Sequence, residues 1–130
     1  MTGSSSSGLA PWLAAVVHES PRVYRTILVI EPRRPLPDKV PLTDGVLIVS
    51  ATLAEVDFAL LSRLRPDMVL APLMTPEFDI LDLARRLSAL AFRGQLRAYA
   101  QRIPDPRLVQ REIASACPGL DFDLIVIGAS

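Results

Sequence analysis

The chain has 130 residues, half of them hydrophobic, and a formal net charge of zero. That length suits one domain with a real core, and the balanced charge leaves no electrostatic footprint for nucleic acid or an anionic membrane. A single cysteine, Cys117, excludes an intramolecular disulfide and a cysteine-based zinc site, and a single histidine, His18, leaves little for nucleophilic catalysis.

The first 21 residues, MTGSSSSGLAPWLAAVVHESP, read as a flexible Ser/Gly-rich tail followed by a short apolar segment. The apolar run Leu9–Val17 is too short to span a bilayer. No Arg or Lys precedes it, so the basic region of a secretory signal is missing and a cytoplasmic location is expected. Residues 22–130 form the folded domain. Four stretches are apolar and β-branched without alternation: Arg25–Glu31, Gly45–Ser50, Asp67–Pro72 and Asp123–Gly128. Such runs belong to parallel strands buried on both faces. A weaker strand is expected over Gly94–Ala100.

The joint after the first strand, Pro32 to Asp44, carries prolines at 32, 35, 37 and 41. An interior proline costs a helix roughly 3 kcal/mol, so an extended crossover or a β-hairpin excursion is expected here instead. Helical periodicity follows in three places. TLAEVDFALLSRL sets Leu53, Val56, Leu60, Leu61 and Leu64 on one face and opens with Thr52 and Glu55 at capping-box spacing. DILDLARRLSALA sets Ile80, Leu83, Leu87 and Leu90 on one face behind a cap at Asp79. DPRLVQREIASAC has Asp105 as cap, Pro106 at the first helical position, an inner stripe of Val109, Ile113 and Ala116, and a stop at Pro118-Gly119. Arg85 and Arg86 read as the solvated outer face of their helix, and Cys117 as a small buried hydrophobe. Strands alternating with helices make an α/β fold.

The stretch Pro66-Asp67-Met68-Val69-Leu70-Ala71-Pro72-Leu73-Met74-Thr75-Pro76-Glu77-Phe78-Asp79 resembles the third-strand region of bacterial response-regulator receiver domains. Those commonly read Pro-Asp-Leu-Val-Leu-Leu-Asp-Leu-Met-Met-Pro-x-Met-Asp. ILVIE resembles their first strand, and the likeness extends loosely over Arg25–Gly128. The bias of 13 Arg to one Lys, Lys39, suits a GC-rich bacterial genome. The resemblance implies a flavodoxin-like open parallel sheet of about five strands in the order 2-1-3-4-5, with the first and last helices missing or replaced.

The same resemblance implies a pocket that has lost its chemistry. Pro72 stands where receivers carry the phosphate-accepting aspartate. Glu31 and Pro32 stand where two acids hold Mg²⁺. Tyr99 takes the place of the switch hydroxyl, and no Lys follows Lys39 to pair with the phosphoryl group. A degenerate receiver, or pseudo-receiver, is therefore expected: no enzyme, no cofactor, no metal, and a regulatory interaction module that works without phosphorylation. The alternative is a small-ligand sensor binding at the carboxyl ends of the strands, beside Glu31, Ser50, Pro72–Met74 and Tyr99.

With two helices absent on one side, a sheet face bearing Ile27, Val29, Ile48, Val69 and Ile125 needs cover. Trp12, Leu13, Val16 and Val17 are the candidate anchors of a fold-back or self-association surface. A homodimer or a protein partner is expected to complete that cover.

Overall fold

The computed structural model describes residues 25–30, 39–41, 46–75 and 79–127. In chain order they form β1 (Thr26–Ile30), β2 (Lys39–Pro41), β3 (Leu47–Ala51), α1 (Phe58–Leu64), β4 (Met68–Pro72), α2 (Ile80–Ala89), β5 (Gln95–Ala100), α3 (Pro106–Ala116) and β6 (Asp121–Val126). A 3₁₀ turn, Leu53–Glu55, precedes α1. The strands make one sheet in the order β2-β3-β1-β4-β5-β6. The five strands from β3 to β6 are all parallel, which is the flavodoxin-like 2-1-3-4-5 order. β2 is an addition at the edge, antiparallel to β3 with Val40 opposite Ile48. The proline-rich joint thus contains a short strand returning against β3, and its other residues lie outside the described ones.

Strand parity sorts the core into two sets. Leu28, Ile30, Val49, Ala51, Val69, Ala71, Leu96 and Ala98 face the helices and pack with Ile80, Leu83, Leu87 and Ile113. Leu60, Leu61 and Leu64 of α1 join the same cluster, so the three helices among the described residues all cover one face. Ile27, Val29, Val46, Ile48, Met68 and Leu70 form a separate buried cluster on the other face, bordered by Tyr99 and Ile125. Val69, grouped by the sequence with Ile27 and Ile48, belongs to the helix side. β1 pairs Ile27 with Met68, so Met68 and Leu70 share the face of Ile27.

Local chemistry explains the helix boundaries. The Asp79 carboxylate accepts from Asp82 N at 3.1 Å while Asp82 accepts from Asp79 N at 3.3 Å, a reciprocal cap that starts α2. Asp105 accepts from Leu108 N at 3.2 Å, and Pro106 follows at the first helical position of α3. Gly119, at φ 92°, lets the chain leave α3 in a left-handed conformation.

Four expectations are corrected. The helix read from Thr52 to Leu64 is divided, because Asp57 caps a new start by accepting from Leu60 N at 2.8 Å. Arg86 is not simply solvated: its Nη1 donates to the carbonyls of Leu53 at 3.2 Å and Val56 at 3.1 Å, closing the 3₁₀ turn against α2. In α3, Ala116 is exposed and Cys117 is buried in its place. β6 begins at Asp121, two residues before the apolar run, and Val126 within that run is exposed rather than buried.

Candidate functional site at the carboxyl edge of the sheet

Open α/β sheets bind ligands at the carboxyl ends of their strands, so that edge is the place to build a site. β4 and β5 run in register with Pro72 opposite Tyr99. Beyond this pair, Leu73 N donates to the Tyr99 carbonyl at 2.9 Å, holding the chain against β5 for one residue more. Ile80 N then donates to the Leu73 carbonyl at 3.0 Å, and Met74 bridges Asp79, so the connection folds tightly back into α2. Met74 is left at the turn with 73% of its surface exposed.

These residues open onto a cavity of about 540 Å³ lined by Pro72, Leu73, Met74, Tyr99, Arg102 and Ile127, among others. Among the described residues no carboxylate lines it, and Arg102 is the one charged group. The geometry offers an apolar surface with one guanidinium. At the acceptor position itself there is no side-chain oxygen to take a phosphoryl group, because Pro72 carries a hydrocarbon ring. Proline is tolerable there because the strand ends at that residue. Among the described residues no group of three His, Cys, Asp or Glu is placed to hold a metal ion.

Of the residues singled out by sequence, the structure brings Pro72 and Tyr99 together. Glu31 and Pro32 lie outside the described residues, as do Trp12, Leu13, Val16 and Val17. Ser50 is not at the cavity. Its hydroxyl is buried one residue before the end of β3, without a hydrogen-bond partner among the described residues. Sequence reasoning did not reach Arg102 or Ile127. Both follow the carboxyl ends of strands, Arg102 after β5 and Ile127 after β6, and a rule reading every such loop position finds them.

No helix among the described residues is long and apolar enough to cross a membrane. No protein-family model, curated protein or solved structure matches the chain.

Proposed function

We propose that this chain is a pseudo-receiver: a regulatory protein-interaction module of bacterial signalling that works without phosphorylation. One observation carries the reading. The corner where a receiver would run aspartyl phosphorylation is an apolar recess, with Met74 exposed beside the Pro72–Tyr99 pair. An unbranched, adaptable methionine at a rim suits a protein contact. The test has two arms. Incubation with acetyl phosphate and Mg²⁺ is expected to leave the intact mass unchanged, and a stoichiometric, base-labile phosphoryl adduct would overturn the reading. A photo-cross-linking residue at position 74 is expected to trap a discrete protein adduct in the host, whereas the same residue at the exposed position 107 on α3 is not. Equal labelling from both positions argues against a docking edge.

The volume of the recess favours a second reading. Small-molecule sites occupy roughly 300–1,000 Å³, and about 540 Å³ lies inside that range. A small apolar ligand bearing an anionic group for Arg102 fits it. Thermal-shift screening against metabolites separates the two: a ligand-dependent rise abolished by Met74→Asp supports a sensor, and its absence leaves the protein-docking role.

A further inference from the structure

A second surface lies at the opposite, amino edge of the sheet. α1 and α2 both end there, and between their last turns runs a groove of about 260 Å³ lined by Phe58, Leu61, Arg65, Leu90, Phe92 and Arg93, among others. We infer that this groove docks an acidic segment of a partner protein, one that inserts an apolar side chain and flanks it with carboxylates.

Size decides between a small molecule and a protein. The groove falls below the roughly 300–1,000 Å³ of small-molecule sites. A volume of that order takes one or two side chains, which is how an amphipathic segment anchors in a groove. Its apolar parts are suitable: Leu61, Leu90 and Phe92 are half-buried, and Phe58 keeps 69% of its surface exposed at the rim.

Charge decides the partner's chemistry. Arg65 and Arg93 both line the groove, both are exposed, and neither has an ion pair or side-chain hydrogen bond among the described residues. Among the described residues no Asp or Glu lines it. The nearest acids in sequence are occupied elsewhere, Asp57 capping α1 and Asp67 bonded to the start of β1. Helix C-termini carry a partial negative charge of about half a unit each. At α2 that charge is partly neutralised, because Leu90, Ala91 and Phe92 donate their N–H groups to the last carbonyls. The two guanidinium groups are the full charges on the groove lining itself, with the Asp57 and Asp67 carboxylates turned to backbone N–H groups beside it, so the lining offers cations to a partner's carboxylates.

The backbone points to the same place. Arg65 at φ 48° and Ala91 at φ 59° are the two non-glycine residues with positive φ among the described residues, and both line this groove. Each ends a helix where glycine is the usual and less strained choice. Position 65 instead keeps a side chain that puts a cation on the groove, and strained positions of this kind gather at ligand clamps.

The probe is a blocked helical peptide with one Phe and one Leu a turn apart on a background of Glu and Ala, compared with its Glu-to-Lys counterpart. In ¹⁵N-labelled protein the Glu peptide is expected to shift the amides of Leu61, Leu90, Phe92 and Gly94, weakening as salt is raised, and the Lys peptide is not. The double variant Arg65→Glu with Arg93→Glu is expected to lose about tenfold in affinity for the Glu peptide and to gain for the Lys peptide. Phe58→Ala, at an exposed rim position, is expected to weaken binding of the Glu peptide. Met74→Asp is expected to change nothing here, which keeps this groove distinct from the carboxyl-edge recess. Equal shifts from the two peptides, shifts mapping to Met74 and Tyr99, or no shifts at all would overturn the inference.

Discussion

Asp67 holds together two strands whose sequences lie far apart. Its Oδ2 accepts from Arg25 N at 2.7 Å and Thr26 N at 3.0 Å, and its own N–H donates to the Thr26 carbonyl at 2.9 Å. The apolar run placed this aspartate at the opening of a strand, but nothing local says that its carboxylate reaches 41 and 42 residues back along the chain. A side chain's partner across a sheet depends on strand order, which is a property of the whole fold. Hydrogen bonds to a charged acceptor contribute about 1.5–3 kcal/mol when well shielded. Arg25 is exposed, so Asp67→Ala is expected to lower stability by about 1–2 kcal/mol in urea unfolding. Gly94 is a second residue whose identity follows from its surroundings. A Cβ added there would stand 2.5 Å from Phe92 Cζ and 2.6 Å from the Asp67 carbonyl. The ring can turn away but the backbone oxygen cannot, so Gly94→Ala is expected to cost about 1–3 kcal/mol by the same measurement. Because Asp67 takes part in both, the double variant is expected to depart from additivity.

Helix starts were legible in the sequence because capping is local: Asp79, Asp105 and Pro106 each act within a turn of their own position. Thr52 and Glu55 also meet as their spacing suggested, with the Glu55 carboxylate accepting from Thr52 N at 2.7 Å. That local success hid the division after it, since periodicity continued through Val56 while Asp57 opened a competing cap. The exposure of β6 was not legible for a different reason. Leu124, Ile125 and Val126 read as a strand buried on both faces, yet at the sheet edge that the 2-1-3-4-5 order implies, Leu124 and Ile125 are half-buried and Val126 is exposed. The end of α2 holds a prediction at this scale. Phe92 N donates to the Leu87 carbonyl and Ala91 N to that of Ser88, the paired bonds of a Schellman ending, with Ala91 in the left-handed position. Its Cβ crowds the backbone there at a cost of roughly 1–2 kcal/mol. Ala91→Gly is expected to raise stability by about 1 kcal/mol, seen as a higher urea midpoint at unchanged slope. A lower midpoint would mean that the Ala91 methyl packs in a way that outweighs the strain.

The two faces of the sheet differ in how they are covered, and the difference bounds what the rest of the chain must do. The three helices among the described residues lie against the Leu28 side. On the other side the buried apolar residues come from β1, β3 and β4, while β5 and β6 place Arg97 and Asp121 there in an ion pair of 3.2 Å. The apolar area is therefore three strands wide rather than five, smaller than the sequence suggested. Two strand spacings make about 10 Å and five residues of strand about 16 Å. One helix is about 10–12 Å across, and nine residues of helix run about 13.5 Å. Leu9–Val17 has that length, and the seven residues from His18 to Tyr24 reach over 20 Å when extended, ample to reverse direction before β1. A single segment of the same chain is thus large enough, and a second copy is not required by area alone. Trp12 is the only tryptophan, so its fluorescence reports on this segment by itself. Its emission is expected to be blue-shifted in the native protein and to move red on unfolding, with the same midpoint as the circular dichroism. Deleting residues 1–20 is expected to lower that midpoint and to create dye-binding apolar surface, with light scattering of the intact chain giving a monomer. A native emission already at the solvent wavelength, together with a dimer in scattering, would assign the cover to a second copy instead. In that case Ile48→Asp, on β3 beside β1 in that apolar face, would dissociate the dimer without first unfolding the helix-covered side.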